Sequence, residues 1–452
     1  MNSKGRGSFS SRLGIVLATA GSAVGLGNVW RFPYMVGHNG GAAFILIYVV
    51  CILMLGLPAM ISEFIVGRHA QRNAARAYGK VGRHRAWSAV GLMGIFCGAV
   101  ILGFYAVVAG WCLQYLFTAL SGQMPTSSET SMQFFQTFSS SAVEPCLWAV
   151  AFIAITHVVV SLGVQKGIER ASKLLMPLLL LLLVVLAVAA CSLPGAMRGV
   201  DFLLRPDFGK LSTSVWLEAL GQAFFSLSLG TACLCTYASY YSRTTSLPAS
   251  ATHIVLLDLA VAVLAGLVIF PAAFSVGMTP DAGPSLIFIT LPGVFAEAFG
   301  SVPWVGWLIQ VMFYALLVFA ALTSTISMHE IGTAFFCEEL GWSRARASWL
   351  LTVGCSLLAV VCSLSVGARP HWQLFGLNIM DLCDHLTAQL LLPLGALLTS
   401  LLVGWRASRS MVRNEFLSGG TNVRLFGTWL LLVRWVVPLC IVLIFLHQMG
   451  VI

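Results

Sequence analysis

The sequence predicts an all-α polytopic membrane protein, organised as an inverted repeat of five plus five helices with one helix added at the end. Three observations carry that expectation. The chain is 58% hydrophobic and only 9% charged over 452 residues. Its apolar runs are long enough to cross a hydrocarbon layer of about 30 Å. Two of those runs, in corresponding positions of successive groups of five, are interrupted by glycine and polar residues. In lipid every backbone N–H and C=O needs an internal partner, so these runs must be helices, and the alternating period of barrel strands is missing.

Eleven spans are expected, near 12–37, 42–67, 88–121, 146–163, 168–192, 213–241, 249–277, 304–338, 345–367, 375–404 and 424–448. They divide the chain into an N-terminal segment (1–11), a first repeat (12–192), a loop (193–212), a second repeat (213–404), a second loop (405–423) and the eleventh helix (424–452). The first span is not a cleavable leader, because Arg31 and a Gly-rich core interrupt it and no clear small-residue cleavage site follows. The twelve cysteines are scattered through apolar segments, and Cys233 and Cys235 point to different helix faces, so they read as small core residues.

The net charge of +9 does not form one patch for nucleic acid; it sorts by loop. Arg68, Arg72, Arg76, Lys80, Arg83 and Arg85 follow the second span, whereas the opposite side carries only Arg198, Arg205, Lys210 and Arg369. By the positive-inside rule the N-terminus is cytoplasmic, and an odd number of spans leaves the C-terminus outside.

The interruptions are GSAVGLGNVWRFPY, Gly21 to Tyr34, and SLSLGTACLC, Ser226 to Cys235. A broken midplane helix frees carbonyls that coordinate a bare cation, while the N-terminus of the following half-helix favours a carboxylate. Glycine alone says little: Gly56, Gly94, Gly98 and Gly103 read as places where helices approach closely. Gly25 and Gly27 differ, because Asn28 and Arg31 follow at once. In the eighth span, FAALTSTISM puts Ala320, Thr323 and Ser324 on one face, an oxygen cluster suited to a small hard cation. Arg31, Glu63, Asp258, Glu330 and Asp384 lie within or near spans, where ionisable groups need partners and mark function.

With NGGAAF in span 2, GQAFFSLSLG in span 6 and ALTSTIS in span 8, these motifs resemble those of the bacterial neurotransmitter:sodium symporter family over nearly the whole length. The resemblance implies the leucine-transporter fold and a sodium-coupled amino-acid symporter in a bacterial inner membrane. It implies one sodium site from the Ala23 carbonyl, Asn28, Ser226, Asp258 and the substrate's carboxylate. A second would use the carbonyls of Gly21, Val24 and Ala320 with the hydroxyls of Thr323 and Ser324. Substrate would be lined by Ser22, Ala23, Gly25, Leu26, Gly27, Ile101, Tyr105, Phe225, Ser226, Ser228, Thr231, Ser324 and Met328.

By the same resemblance, Gly25 stands where monoamine-carrying relatives have aspartate and leaves room for the substrate's own carboxylate. The cargo expected is a neutral, hydrophobic amino acid. Asp258 replaces the family's usual asparagine and Ala262 lacks the serine hydroxyl of chloride-dependent relatives, so a fixed carboxylate stands in for chloride, which is not expected as a cofactor; Tyr48 and Gln222 match positions around that pocket. Thr231 and Ala232 replace a Phe-Gly pair, which alters the side-chain pocket.

The outer gate implied is Arg31 with Asp384, above Tyr105 and Phe225; the inner one is Arg6 with Glu338, near Ser239 and Tyr240, with Phe9 where many relatives have tryptophan. Gly167 and Pro177 resemble the family motif for a fifth helix that unwinds at its cytoplasmic end, since proline removes a donor from the turn before it. A proton-coupled carrier of the same fold and a transport-deficient amino-acid sensor are the alternatives. An enzyme is not expected, because the hydroxyls, His157 and His329 form no set of nucleophile, base and orienter. Partners expected are the amino acid, sodium ions and the lipid bilayer; oligomeric state is left open.

Overall fold

The computed structural model describes residues 9–210, 212–277, 286–299, 302–420 and 422–448. Among them nine helices are long and apolar enough to cross a membrane: Ala42–Ala70, Arg85–Leu120, Glu144–Ser161, Val164–Cys191, Leu247–Ser275, Pro303–Glu339, Arg344–Val366, Ile379–Arg406 and Val423–His447. They correspond to spans 2 to 5 and 7 to 11. Span 1 is a bent pair, Leu13–Ala23 and Gly27–His38, at 54° to one another. Span 6 is Thr213–Ser226 followed, after an irregular stretch, by Cys233–Ala238.

Local chemistry sets the ends. Ser11 caps span 1 by accepting from Gly14 N at 3.0 Å, and Ser343 caps span 9 by accepting from Arg346 N; each supplies an acceptor to one of the N–H donors that a helix start leaves unpaired. Span 10 begins at Ile379, later than expected from sequence, because Gln373–Leu374 pairs antiparallel with Leu377–Asn378. Phe375 and Gly376 turn that hairpin with φ of +54° and +79°, and Asn378 then caps the helix through Asp381 N. The loops expected at 193–212 and 405–423 contain short helices, Met197–Leu204 and Arg409–Leu417.

Spans 2, 3, 7 and 8 bury most of their surface, whereas spans 5 and 11 remain more open on the outside of the bundle. Spans 3 and 8, the longest, pack together and enclose the two broken helices with spans 2 and 7. Gly98 of span 3 serves that approach, since an added Cβ would lie 3.0 Å from Ile331 of span 8, and Gly103 serves the approach of span 9, where a Cβ would lie 2.5 Å from Leu358.

Candidate functional site

The two breaks lie side by side: the Ser228 hydroxyl of span 6 donates to the Ser22 carbonyl of span 1 at 2.8 Å. Broken helices in an apolar bundle survive only if neighbouring side chains take up the released backbone groups, and here they do. Gly25 N donates to Asn28 Oδ1 at 3.0 Å and Leu26 N to the Tyr105 hydroxyl at 3.0 Å. In span 6, Gly230 N donates to Glu63 Oε1 at 2.7 Å and Cys233 N to Thr231 Oγ1 at 3.1 Å.

The backbone of span 6 is turned by left-handed residues, Ser228 (φ +52°), Gly230 (+82°) and Ala232 (+60°). An alanine there is strained by about 1 kcal/mol relative to glycine. Gly94 of span 3 faces it: a Cβ at Gly94 would sit 2.6 Å from the Ala232 methyl, so span 3 leaves open the space which that methyl fills.

Beside the breaks is a polar cluster closed to solvent. Asn28 Nδ2 donates to Asp258 Oδ1 at 2.7 Å, to Asp258 O at 3.2 Å and to Ser226 Oγ at 3.2 Å. The Ser226 hydroxyl lies 3.0 Å from both Asp258 carboxylate oxygens, and the Tyr48 hydroxyl 3.4 Å from Oδ2. Asn28 and Asp258 are 0% exposed and Ser226 2%. One turn before Ser226, both amide atoms of buried Gln222 lack a hydrogen-bond partner, which leaves polar capacity beside the cluster.

A second oxygen group joins spans 1 and 8. Thr323 Oγ1 lies 3.4 Å from Val24 O, 3.0 Å from Ala320 O and 3.2 Å from Phe319 O, and Ser324 Oγ lies 3.4 Å from Val24 O. Gly21 faces the same place, where an added Cβ would be 3.1 Å from Thr323 Cβ. All five residues singled out from the sequence for this group therefore converge. The oxygens are neutral carbonyls and hydroxyls, a set suited to a small hard cation.

Between these clusters is a small cavity of about 40 Å³ lined by Ser22, Ala23, Gly25, Gly27, Ile101, Phe104, Tyr105, Phe225, Ser226, Ser228, Thr231, Ser324, Met328 and Leu392. Every sequence-derived pocket residue except Leu26 lines it; Leu26 lines the larger cavity of about 330 Å³ above, together with Trp30, Arg31 and Asp384. Gly27, Phe104, Tyr105 and Phe225 border both and form the partition. Phe104 and Leu392 were missed. Phe104 stands one turn beyond Ile101, a signal the sequence carried. Leu392 did not announce itself, because the π-helical turn His385–Leu391 shifts the register of span 10 just before it.

The outer gate differs from the sequence expectation. Arg31 forms no ion pair with Asp384 within 4.0 Å; its guanidinium lies over the Phe225 ring, 4.3 Å from the centroid, and feels Asp384 and Glu218 only through space. The cation–π contact occupies the cation while the cavity between the spans stays open. Of the inner pair, Arg6 lies outside the described residues. Glu338 accepts from Asn73 N at 2.7 Å and Asn73 Nδ2 at 3.1 Å. Phe9 is packed edge-on among Tyr237, Tyr240 and Tyr241, with centroids 5.9 to 6.4 Å away, and Ser10 N donates to Glu169 Oε2 of span 5 at 2.7 Å.

Comparison with known proteins decides the family. The model of the sodium:neurotransmitter symporter family matches residues 6–144 and 132–451. The chain belongs to that family. This sodium:neurotransmitter symporter is 41% identical to an uncharacterized sodium-dependent transporter of Bacillus subtilis over 98% of both chains. It is 34% identical to one of Haemophilus influenzae over 99% of both. The crystal structure of MhsT in complex with L-phenylalanine superposes with a TM-score of 0.90, at 41% identity, covering 98% of this chain and 99% of that one. The fold is thus the leucine-transporter fold, and the protein is a multi-pass sodium-coupled transporter, not an enzyme.

Proposed function

We propose that this symporter imports a neutral, hydrophobic amino acid across a bacterial inner membrane with sodium, by alternating access, without chloride. The observation that carries the reading is the cavity between the breaks: polar at Ser22, Ser226, Ser228 and Thr231, apolar at Ile101, Phe104 and Met328, and without an ionisable side chain apart from the Tyr105 phenol. A zwitterion's charged ends match the broken helices, and its side chain matches the apolar wall. The solved relative is in complex with L-phenylalanine, in keeping with an apolar cargo.

Two sodium ions are part of the proposal. The first is held by Asn28, Ser226, Asp258, the Ala23 carbonyl and the cargo's own carboxylate; the second by Val24, Ala320, Gly21, Thr323 and Ser324. The Asp258 carboxylate supplies beside the first ion the negative charge that chloride supplies elsewhere. Sodium favours the arrangement in which the upper cavity is open, cargo draws Phe225 and Tyr105 together over itself, and Arg31 then leaves the Phe225 face for Asp384. The N-terminus is placed in the cytoplasm and the C-terminus outside, following the distribution of Lys and Arg.

The test is a thermal-shift screen of the twenty amino acids in sodium, potassium and choline, followed by counterflow in proteoliposomes. One apolar amino acid is expected to stabilise the protein only in sodium, since a ligand at about one hundred times its Kd adds roughly 2.7 kcal/mol. Equal stabilisation in choline, or a charged cargo, overturns the reading.

A further inference from the structure

Arg434 lies inside span 11, in the middle of an apolar run, and no carboxylate among the described residues lies within 4.0 Å of it. A cation at such a place is costly unless something takes up its charge. Its Nε donates to the Gly404 carbonyl at the end of span 10, at 2.6 Å. Gly404 has no side chain in the way, as an added Cβ there would lie 3.1 Å from Arg434 Cγ. That single bond caps the negative end of span 10 but uses one of the five guanidinium donors. The Nη donors have no protein acceptor among the described residues.

Around this half-satisfied cation are two indoles. Trp405 and Trp435 pack edge to face with centroids 4.8 Å apart, and the Arg434 guanidinium carbon lies 5.5 Å from the Trp405 centroid. Trp405 Nε1 donates to Arg434 O at 3.1 Å, which fixes the ring. Both rings are nonetheless more than half exposed, at 53% and 62%, and Leu431 and Leu439 on the same helix are exposed as well. In a membrane-spanning chain such a face meets lipid. Tryptophans of this kind sit at headgroup depth, and Arg406, Arg409, Arg413 and Arg424 of the adjoining connector are exposed and add positive potential.

We propose that the end of span 10 and the stretch of span 11 level with it, around Arg434, form a binding site for the phosphate of an anionic phospholipid. The Arg434 Nη donors bind the phosphate bidentately, Trp405 and Trp435 flank the glycerol and upper acyl chains, and the connector arginines favour a net negative headgroup. The leaflet is that on the side of the 10–11 connector. Ser400 Oγ donates to Val433 O across the same helix pair, so occupancy ties spans 10 and 11 together near the end of the gate-bearing span 10.

The experiment uses the full chain in detergent micelles, titrated with phosphatidylglycerol, phosphatidylcholine or inorganic phosphate and read by native mass spectrometry. One retained phosphatidylglycerol is expected. Arg434→Gln should weaken it about fivefold, the effect of one basic group, and leave phosphatidylcholine retention unchanged. As a measurement that does not depend on that variant folding, dibrominated phosphatidylglycerol should quench wild-type tryptophan fluorescence more than dibrominated phosphatidylcholine, and Trp405→Phe should remove part of the difference. Equal retention of the two lipids, equal quenching by them, or displacement of the lipid by millimolar inorganic phosphate overturns the proposal.

Discussion

Asn28 of the broken first helix donates its amide to the Asp258 carboxylate of span 7 at 2.7 Å, and both residues are fully buried. Ser226 of the broken sixth helix shares the same carboxylate. Asp258 therefore ties both broken helices to the packed bundle, and the charge that does so is the one proposed to accompany sodium.

Asp258→Asn keeps the shape and removes the charge. At an effective dielectric of about 20, a carboxylate a few ångströms from a cation contributes ~3 kcal/mol. The apparent sodium affinity of cargo binding should fall on the order of 100-fold, and uptake by the wild type should be unchanged when gluconate replaces chloride. A wild type that stops transporting in gluconate contradicts the role given to Asp258.

Gly25 has no room for a side chain. A Cβ there would lie 2.5 Å from Ser324 Oγ and 3.1 Å from the Tyr105 hydroxyl. Gly25→Ala should fill the space reserved for the cargo's carboxylate and abolish amino-acid binding, while the protein remains folded and monodisperse. Scintillation proximity binding measures this, and retained wild-type affinity places the cargo elsewhere.

Thr323→Val replaces a hydroxyl by a methyl of similar size at the junction of spans 1 and 8. Loss of one oxygen from a hard cation's shell is expected to raise the sodium concentration for half-maximal uptake at least about tenfold. The same substitution should have little effect on overall stability. An unchanged sodium dependence removes Thr323 from the second ion site.

A prediction away from the site concerns Arg68 and Glu415. Arg68 is fully buried, and its guanidinium binds the Glu415 carboxylate at 2.7 Å along with the Thr245 and Glu415 carbonyls. Burial pushes the Glu415 carboxyl up, but the hydrogen bond from His69 and the charge of Arg68 outweigh it and hold the group below its ordinary value. A depressed carboxyl stabilises the fold fully above its unfolded pKa of about 4.3, and that contribution is lost as pH falls through the lower folded value. Glu415→Ala should cost about 3 kcal/mol by stranding a buried cation. The gap between wild type and variant should be flat from pH 7 to about 5 and narrow in stronger acid; a gap that widens in acid contradicts the pairing.

Gly167 and Pro177 invite comparison between what a motif suggests and what packing requires. Pro177 lies inside span 5, whose first turn, Val164–Glu169, is wound as a π-helix. Gly167 lies against the Val159 carbonyl of span 4, where a side chain has no space. Close approach alone accounts for the glycine. The two roles separate in Pro177→Ala, which leaves that contact alone: if the proline weakens the end of span 5 for ion release, the variant should slow efflux of sodium from proteoliposomes at unchanged cargo affinity.

Much of the site was legible because its chemistry is local in sequence. Gly21 to Asn28, Ser226 to Thr231 and Ala320 to Ser324 are short runs in which an apolar helix departs from apolar composition, and lipid forbids such departures unless a neighbour answers them. Which backbone group each partner answers was not legible. Glu63 stood out as an ionisable group within a span and Tyr105 as a pocket residue, but both belong to regular helices, and nothing in their spacing shows that they take the Gly230 and Leu26 amides. Arg31 shows the same limit, since nothing in the spacing of the sequence places its guanidinium over the Phe225 ring.

The sequence by itself determined a helical membrane bundle with two broken elements, because hydrocarbon thickness and backbone satisfaction leave no other form for such runs. Tertiary structure alone decided that Ala232 is accommodated by Gly94, that Leu392 reaches the pocket, and that Arg434 rests against Gly404 with donors to spare. Each of these depends on which faces two helices turn toward one another. Single π-turns and close contacts set that rotation, and hydropathy does not record them.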